Sequence, residues 1–134
     1  MQMIEILIEG LDNALKQMGT KQLKKPYRDE WDSATPRAGF CYVIAEVIYY
    51  YLNPGGFTPR VITWDNGTTH WFLANDAGDI IDPGNLDNFP WDNYRTARKQ
   101  HFRTTTLSKR GKILADLLGF TMVNDLHDTT GDEY

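Results

Sequence analysis

Three residues in this chain have the types and the order that thiol catalysis requires. Cys41 is the single cysteine, His70 follows 29 positions later, and Asp82 follows His70 by 12. A thiolate attacks a carbonyl carbon. An imidazole takes the thiol proton and later protonates the leaving group. A carboxylate holds the imidazole's tautomer and orientation. Each residue alone has an ordinary reading: a core cysteine, a structural histidine, a turn aspartate. The signal lies in the combination and the order.

The elements around them suit those roles. "TPRAGFCYVIAEVIYYYL" (35–52) is apolar on all sides from about Gly39 to Leu52, the pattern of a central buried helix, and "NPGG" ends it. Cys41 then stands at the helix start. There the partial positive charge favours an anionic sulfur, and free backbone N–H groups, that of Cys41 included, can hold an oxyanion. Gly39 allows a substrate to approach the backbone. Downstream, "RVITW", "TTHWFLA" and "IIDPG" are short runs separated by the turn signals "DNG" and "NDAGD". They predict an antiparallel meander with strands near 60–64, 69–74 and 79–82. The second turn brings Asp82 back towards His70, and alternation through "THWFL" is read as turning His70 to the helix.

The remaining segments are supporting. Residues 2–18 carry Ile4, Leu7, Ile8, Leu11, Leu15 and Met18 at helical spacing, with Gly19 as the stop. Residues 20–38 read as a surface loop containing Trp31, which with Trp71 is expected to wall a substrate cleft. Residues 85–106 look irregular, with a short helix near 91–98. Ser108 caps a helix to about Leu118, stopped by Gly119. The acidic stretch 120–134 is expected to be a mobile tail. The fold class is α+β, a single domain over 1–134 with the cysteine helix on a small antiparallel sheet.

Composition narrows the partners. With one cysteine no intrachain disulfide forms, so a reducing cytosol suits the chain. The first residues lack a basic start and carry Glu5 and Glu9, unlike a secretory signal, and no apolar run is long enough to cross a membrane. The reading is a cytoplasmic protein. Net charge is −4, yet residues 95–112 hold seven of the 14 Lys and Arg and no acid. That segment is a candidate contact for an anionic partner, though its ordinary reading is a solvated face, and the acidic remainder disfavours nucleic acid. Arg98 could reach a substrate carboxylate or phosphate, but reads first as a surface arginine. No metal-ligand spacing and no phosphate loop is present, and thiol chemistry requires no cofactor.

"GFCYVIAEVIYYYL", "THWFLANDAGDIIDP" and "NF" at 88–89 resemble the small YunG-like proteins of the papain-like and transglutaminase-like hydrolases. "YRTARKQHF" and "LSKRGKIL" also resemble part of certain phage and prophage proteins. The resemblance spans roughly residues 31–118. It implies a papain-like scaffold with Cys41 as nucleophile, His70 as base and Asp82 as orienting acid. Two departures stand out. The Cys–His interval is shorter than transglutaminase-like enzymes use. No Gln precedes Cys41 closely as a second oxyanion donor, which leaves Trp31, Thr35 and Asn66. The expected function is hydrolysis or acyl transfer on a peptide, protein or small acyl substrate through a thioester. The alternative is an inactive binding protein on the same scaffold, in a phage setting one that engages a host protein.

Overall fold

The computed structural model describes residues 3–18, 37, 39–52, 55–85 and 91–120. Helix α1 is Met3–Met18 and helix α2 is Cys41–Val47, continued by a wider π-helical turn over Ile48–Leu52. Strands β1 (Thr58–Thr63), β2 (Thr69–Ala74) and β3 (Ile80–Ile81) follow. A 3-10 turn over Trp91–Thr96 leads to β4 (Arg98–Lys99), and α3 is Lys109–Leu118. The architecture is α+β with a four-stranded antiparallel sheet in the order β3-β2-β1-β4. No helix among the described residues is long and apolar enough to cross a membrane.

Local chemistry sets the two hairpin turns. At the β1–β2 turn Gly67 takes φ 88° and its N–H donates to Trp64 O, while Trp64 N–H donates to Thr68 O. At the β2–β3 turn Gly78 takes φ 94° and Asn75 pairs with Asp79 through backbone and side chain. A positive φ at each turn is what glycine supplies without steric cost.

β2 is buried on both faces. Trp71 and Leu73 join Val61 in the core shared with α1, α2 and α3. Phe72 and Ala74 join Ile62 in a second cluster, covered by Tyr94 and Ala97. The period of two therefore puts His70 on the face of Phe72, away from the helix-side core, and its ring stacks 6.1 Å from that of Phe72. This corrects the expectation that His70 faces the helix. In a strand buried on both sides, apolar residues occupy both phases, so alternation cannot assign the face.

Leu7, Leu11, Leu15 and Met18 of α1 are buried as their spacing predicts, whereas Ile8 remains 38% exposed. Between α2 and α3 lies a feature the apolar pattern hid. Glu46 is fully buried and accepts hydrogen bonds from Ser108 N–H at 3.0 Å and Ser108 Oγ at 2.5 Å. Ser108 Oγ in turn accepts from Gly111 N–H at 3.1 Å, the expected N-cap of α3. Gly119 closes α3 in the left-handed conformation, and Phe120 beyond it is buried and stacked on Tyr51 at 5.5 Å. Phe120 thus belongs to the core rather than to the tail expected from 120 onward. The rest of that stretch, 121–134, lies outside the described residues.

Candidate active site

The approach to Cys41 is a tight turn. Gly39 takes φ 81°, Phe40 N–H donates to Arg37 O at 3.0 Å, and the fully buried Phe40 ring anchors the helix start. Arg37 Nε donates to Asp12 Oδ1 at 2.8 Å and Nη1 donates to Pro83 O at 2.9 Å, so one guanidinium ties α1 to the turn after β3. That turn lies directly on the cysteine. A Cβ added to Gly84 would stand 3.2 Å from both Cα and Cβ of Cys41 and 3.7 Å from Asp82 Oδ1.

The sulfur occupies a particular gap. β1 pairs with β2 along its whole length, but β3 pairs only at Leu73 and Ala74. Among the described residues no strand pairs with the β2 edge at 69–71 on that side, and Cys41 Sγ lies there. It accepts from Trp71 N–H at 3.5 Å and lies 3.9 Å from Thr69 O. Cys41 itself is half-buried and lines a cleft.

Nε2 of His70 lies 2.7 Å from Asp82 Oδ2, and the Cys41 side chain is close enough to act on the charge of the ring. A carboxylate only accepts, so Nε2 carries a proton. Burial alone would lower the His70 pKa. The hydrogen bonds to Asp82 and Cys41, with the charges of both, outweigh it and push the value up to about 9. The histidine is thereby held as imidazolium beside sulfur.

Asp82 is held in turn. Tyr94 donates its hydroxyl to Oδ2 at 2.7 Å, and Asn85 Nδ2 donates to Tyr94 Oη at 2.8 Å. Burial and the adjacent Asp82 hold the Tyr94 phenol protonated, well above its ordinary range. The side chains of Asp82 and His70 are 4% and 9% exposed, so the pair works out of bulk water. Neither Tyr94 nor Asn85 carries a motif that would have marked it. The sole prior signal was an aromatic residue in the short helix expected near 91–98.

A cleft of about 100 Å³ opens on the thiol. Gly39, Tyr42, Thr69 and Trp71 line it beside Cys41, and Arg103 and Arg110 complete it. Trp31 and Thr35 lie outside the described residues. Asn66 stays in the β1–β2 turn, where its Oδ1 accepts from Thr68 N–H at 3.0 Å and Thr68 Oγ1 at 2.6 Å. Arg98 is not in the cleft but on β4, bonded to Thr63 Oγ1 at 3.1 Å. No group of three or more His, Cys, Asp or Glu among the described residues is placed to hold a metal ion. No family model, no curated protein and no solved structure matches the chain.

Proposed function

We propose that the protein is a cysteine hydrolase or acyltransferase of papain-like type acting on an amide or ester. One observation carries the reading: the Cys41 side chain, which lines a cleft, stands beside an imidazole that is hydrogen-bonded to a buried carboxylate. The thiolate of Cys41 attacks the carbonyl carbon, forming the S–C bond as the C=O π pair moves to oxygen. First-turn backbone N–H groups of α2, including that of Cys41, receive the developing charge, since a helix leaves its first donors without internal acceptors. The tetrahedral intermediate collapses and the C–N or C–O bond breaks. The leaving amine or alcohol takes the proton from His70. Water or another nucleophile then attacks the thioester, gives its proton to His70 and releases the thiolate. Asp82 keeps the ring oriented throughout and Tyr94 keeps Asp82 oriented. The resemblance to YunG-like proteins supports the same assignment of roles.

Alkylation of native Cys41 by iodoacetamide tests this without knowledge of the substrate. An isolated thiol is about 1% ionised two pH units below its pKa, so reactivity at pH 6.5 reports the imidazolium partner. Wild type is expected to react at least tenfold faster than His70→Ala at pH 6.5, with the two converging near pH 10. Equal rates at pH 6.5 would show that His70 does not activate the sulfur and remove the basis of the proposal. Once a substrate is found, Cys41→Ala should abolish turnover while leaving the circular dichroism spectrum unchanged.

A further inference from the structure

The basic stretch 95–112 does not act as one surface. Arg98 and Lys99 sit on the exposed edge strand β4, whereas Arg103 and Arg110 line the cleft that contains Cys41. Their placement is built. The Arg103 guanidinium lies 4.9 Å from the centre of the Tyr42 ring, and Arg103 N–H donates to Tyr42 Oη at 2.6 Å. Tyr42 is itself buried edge-on against Trp71 and Phe102, at 4.8 Å and 5.3 Å, which fixes the stacked arginine relative to the thiol. Arg110 stands in the first turn of α3, whose start is pinned by Ser108 and Glu46. Glu46 is fully buried with both oxygens engaged by Ser108, and its charge interacts with Arg110 and Arg103.

We infer that the substrate of the Cys41 site carries a carboxylate close to its scissile acyl group, received by Arg103 and Arg110. This rests on the proposed thiol chemistry and names its substrate class: acidic acyl compounds rather than neutral ones. The cleft's 100 Å³ is smaller than the roughly 300–1,000 Å³ of typical ligand pockets. It suits a short acidic side chain or a terminal carboxylate rather than a large apolar group. Two guanidinium groups lining one small cleft supply the kind of donors that a carboxylate accepts.

Paired alkylating agents test the inference. Iodoacetate and iodoacetamide deliver the same CH₂ carbon to sulfur: the S–C bond forms, the C–I bond breaks and iodide departs with the pair. They differ in carrying a carboxylate or a neutral amide. The readout is the ratio of iodoacetate to iodoacetamide rate constants within each protein, which cancels any change in the thiol itself. Each arginine is worth roughly fivefold in that ratio, from the attraction of unit charges about 4 Å apart in water. Arg103→Gln/Arg110→Gln should therefore lower the ratio by at least tenfold, Arg103→Lys/Arg110→Lys should restore part of it, and Arg98→Gln should leave it within twofold. In wild type alone, raising salt from 20 mM to 500 mM should depress the ratio, since exposed charges are screened over a few ångströms at that ionic strength. A ratio indifferent to both salt and the double substitution would overturn the arginine assignment. Slow iodoacetamide labelling of wild type, no faster than His70→Ala, would instead sink the thiol chemistry and leave the ratio as a separate result.

Discussion

At the scale of single residues the site is a chain of five groups, Cys41, His70, Asp82, Tyr94 and Asn85, each orienting the one before it. Because His70 has its value raised from 6.5 to about 9, the folded state holds that proton more tightly than the unfolded chain does. The resulting stabilisation is complete below pH 6.5 and is lost as pH rises through about 9, a change of roughly 3 kcal/mol at most. Urea unfolding at pH 6 and pH 10 should show that loss in wild type and much less of it in Asp82→Asn. Tyr94→Phe should cost about 1–3 kcal/mol, because the buried carboxylate would keep one partner where it now has two. It should also slow neutral-pH alkylation of Cys41 while leaving the fold intact. The first three residues were singled out in the sequence because thiol chemistry would call for those types in that order. Tyr94 and Asn85 were not, because they join through tertiary contact from a 3-10 turn and a loop. The cleft arginines were hidden likewise: spacing marked the segment 95–112 as basic but not which cations turn inward.

At the scale of elements the two glycines beside functional groups separate two kinds of constraint. Alanine in place of a helical glycine ordinarily gains about 1 kcal/mol. In α3 a Cβ at Gly111 would lie 2.5 Å from Glu46 Oε1 and 2.7 Å from Leu107 Cδ1, and overpacking of that kind costs about 1–3 kcal/mol. Gly111→Ala is thus expected to destabilise on balance, measurable as a lower urea midpoint. Gly84→Ala meets a softer contact of 3.2 Å with Cys41, so it should disturb the thiol more than the fold, slowing alkylation with little change in stability. Helices α1 and α3 and the hairpin β1–β2 could be read from periodicity, caps and turn signals. β4 could not, because two residues show no alternation. Nor could the π-helical turn over Ile48–Leu52, whose apolar composition fits any tight helix.

At the scale of the whole molecule, α1 forms one wall of the core and, through Asp12 and Arg37, reaches the turn that covers Cys41. Gly10 permits close contact with Leu118 of α3; a Cβ there would lie 3.3 Å from Leu118 Cδ2. Leu11 is fully buried at this junction, and Leu11→Ala should cost about 2–5 kcal/mol, read as a lower midpoint in urea or heat. Asp12→Ala removes only a partly exposed ion pair and should change stability by under about 1 kcal/mol. The fold class was legible because helix-period and strand-period segments are cleanly separated along the chain. The packing of α1 on α3 and the π-helical turn was not, since nothing in an amphipathic stripe says what it covers.

Three consecutive residues of β2 meet the same sulfur: a carbonyl from Thr69, a ring from His70 and an amide from Trp71. If the hairpin paired one residue out of step, an indole would stand where the imidazole stands, and the amide would point into the sheet. Misaligned molecules would keep their secondary structure and lose their reactivity together. Titrating reactive thiol per mole of protein therefore counts how many chains have zipped correctly, a gauge of folding fidelity that spectroscopy of the backbone would miss.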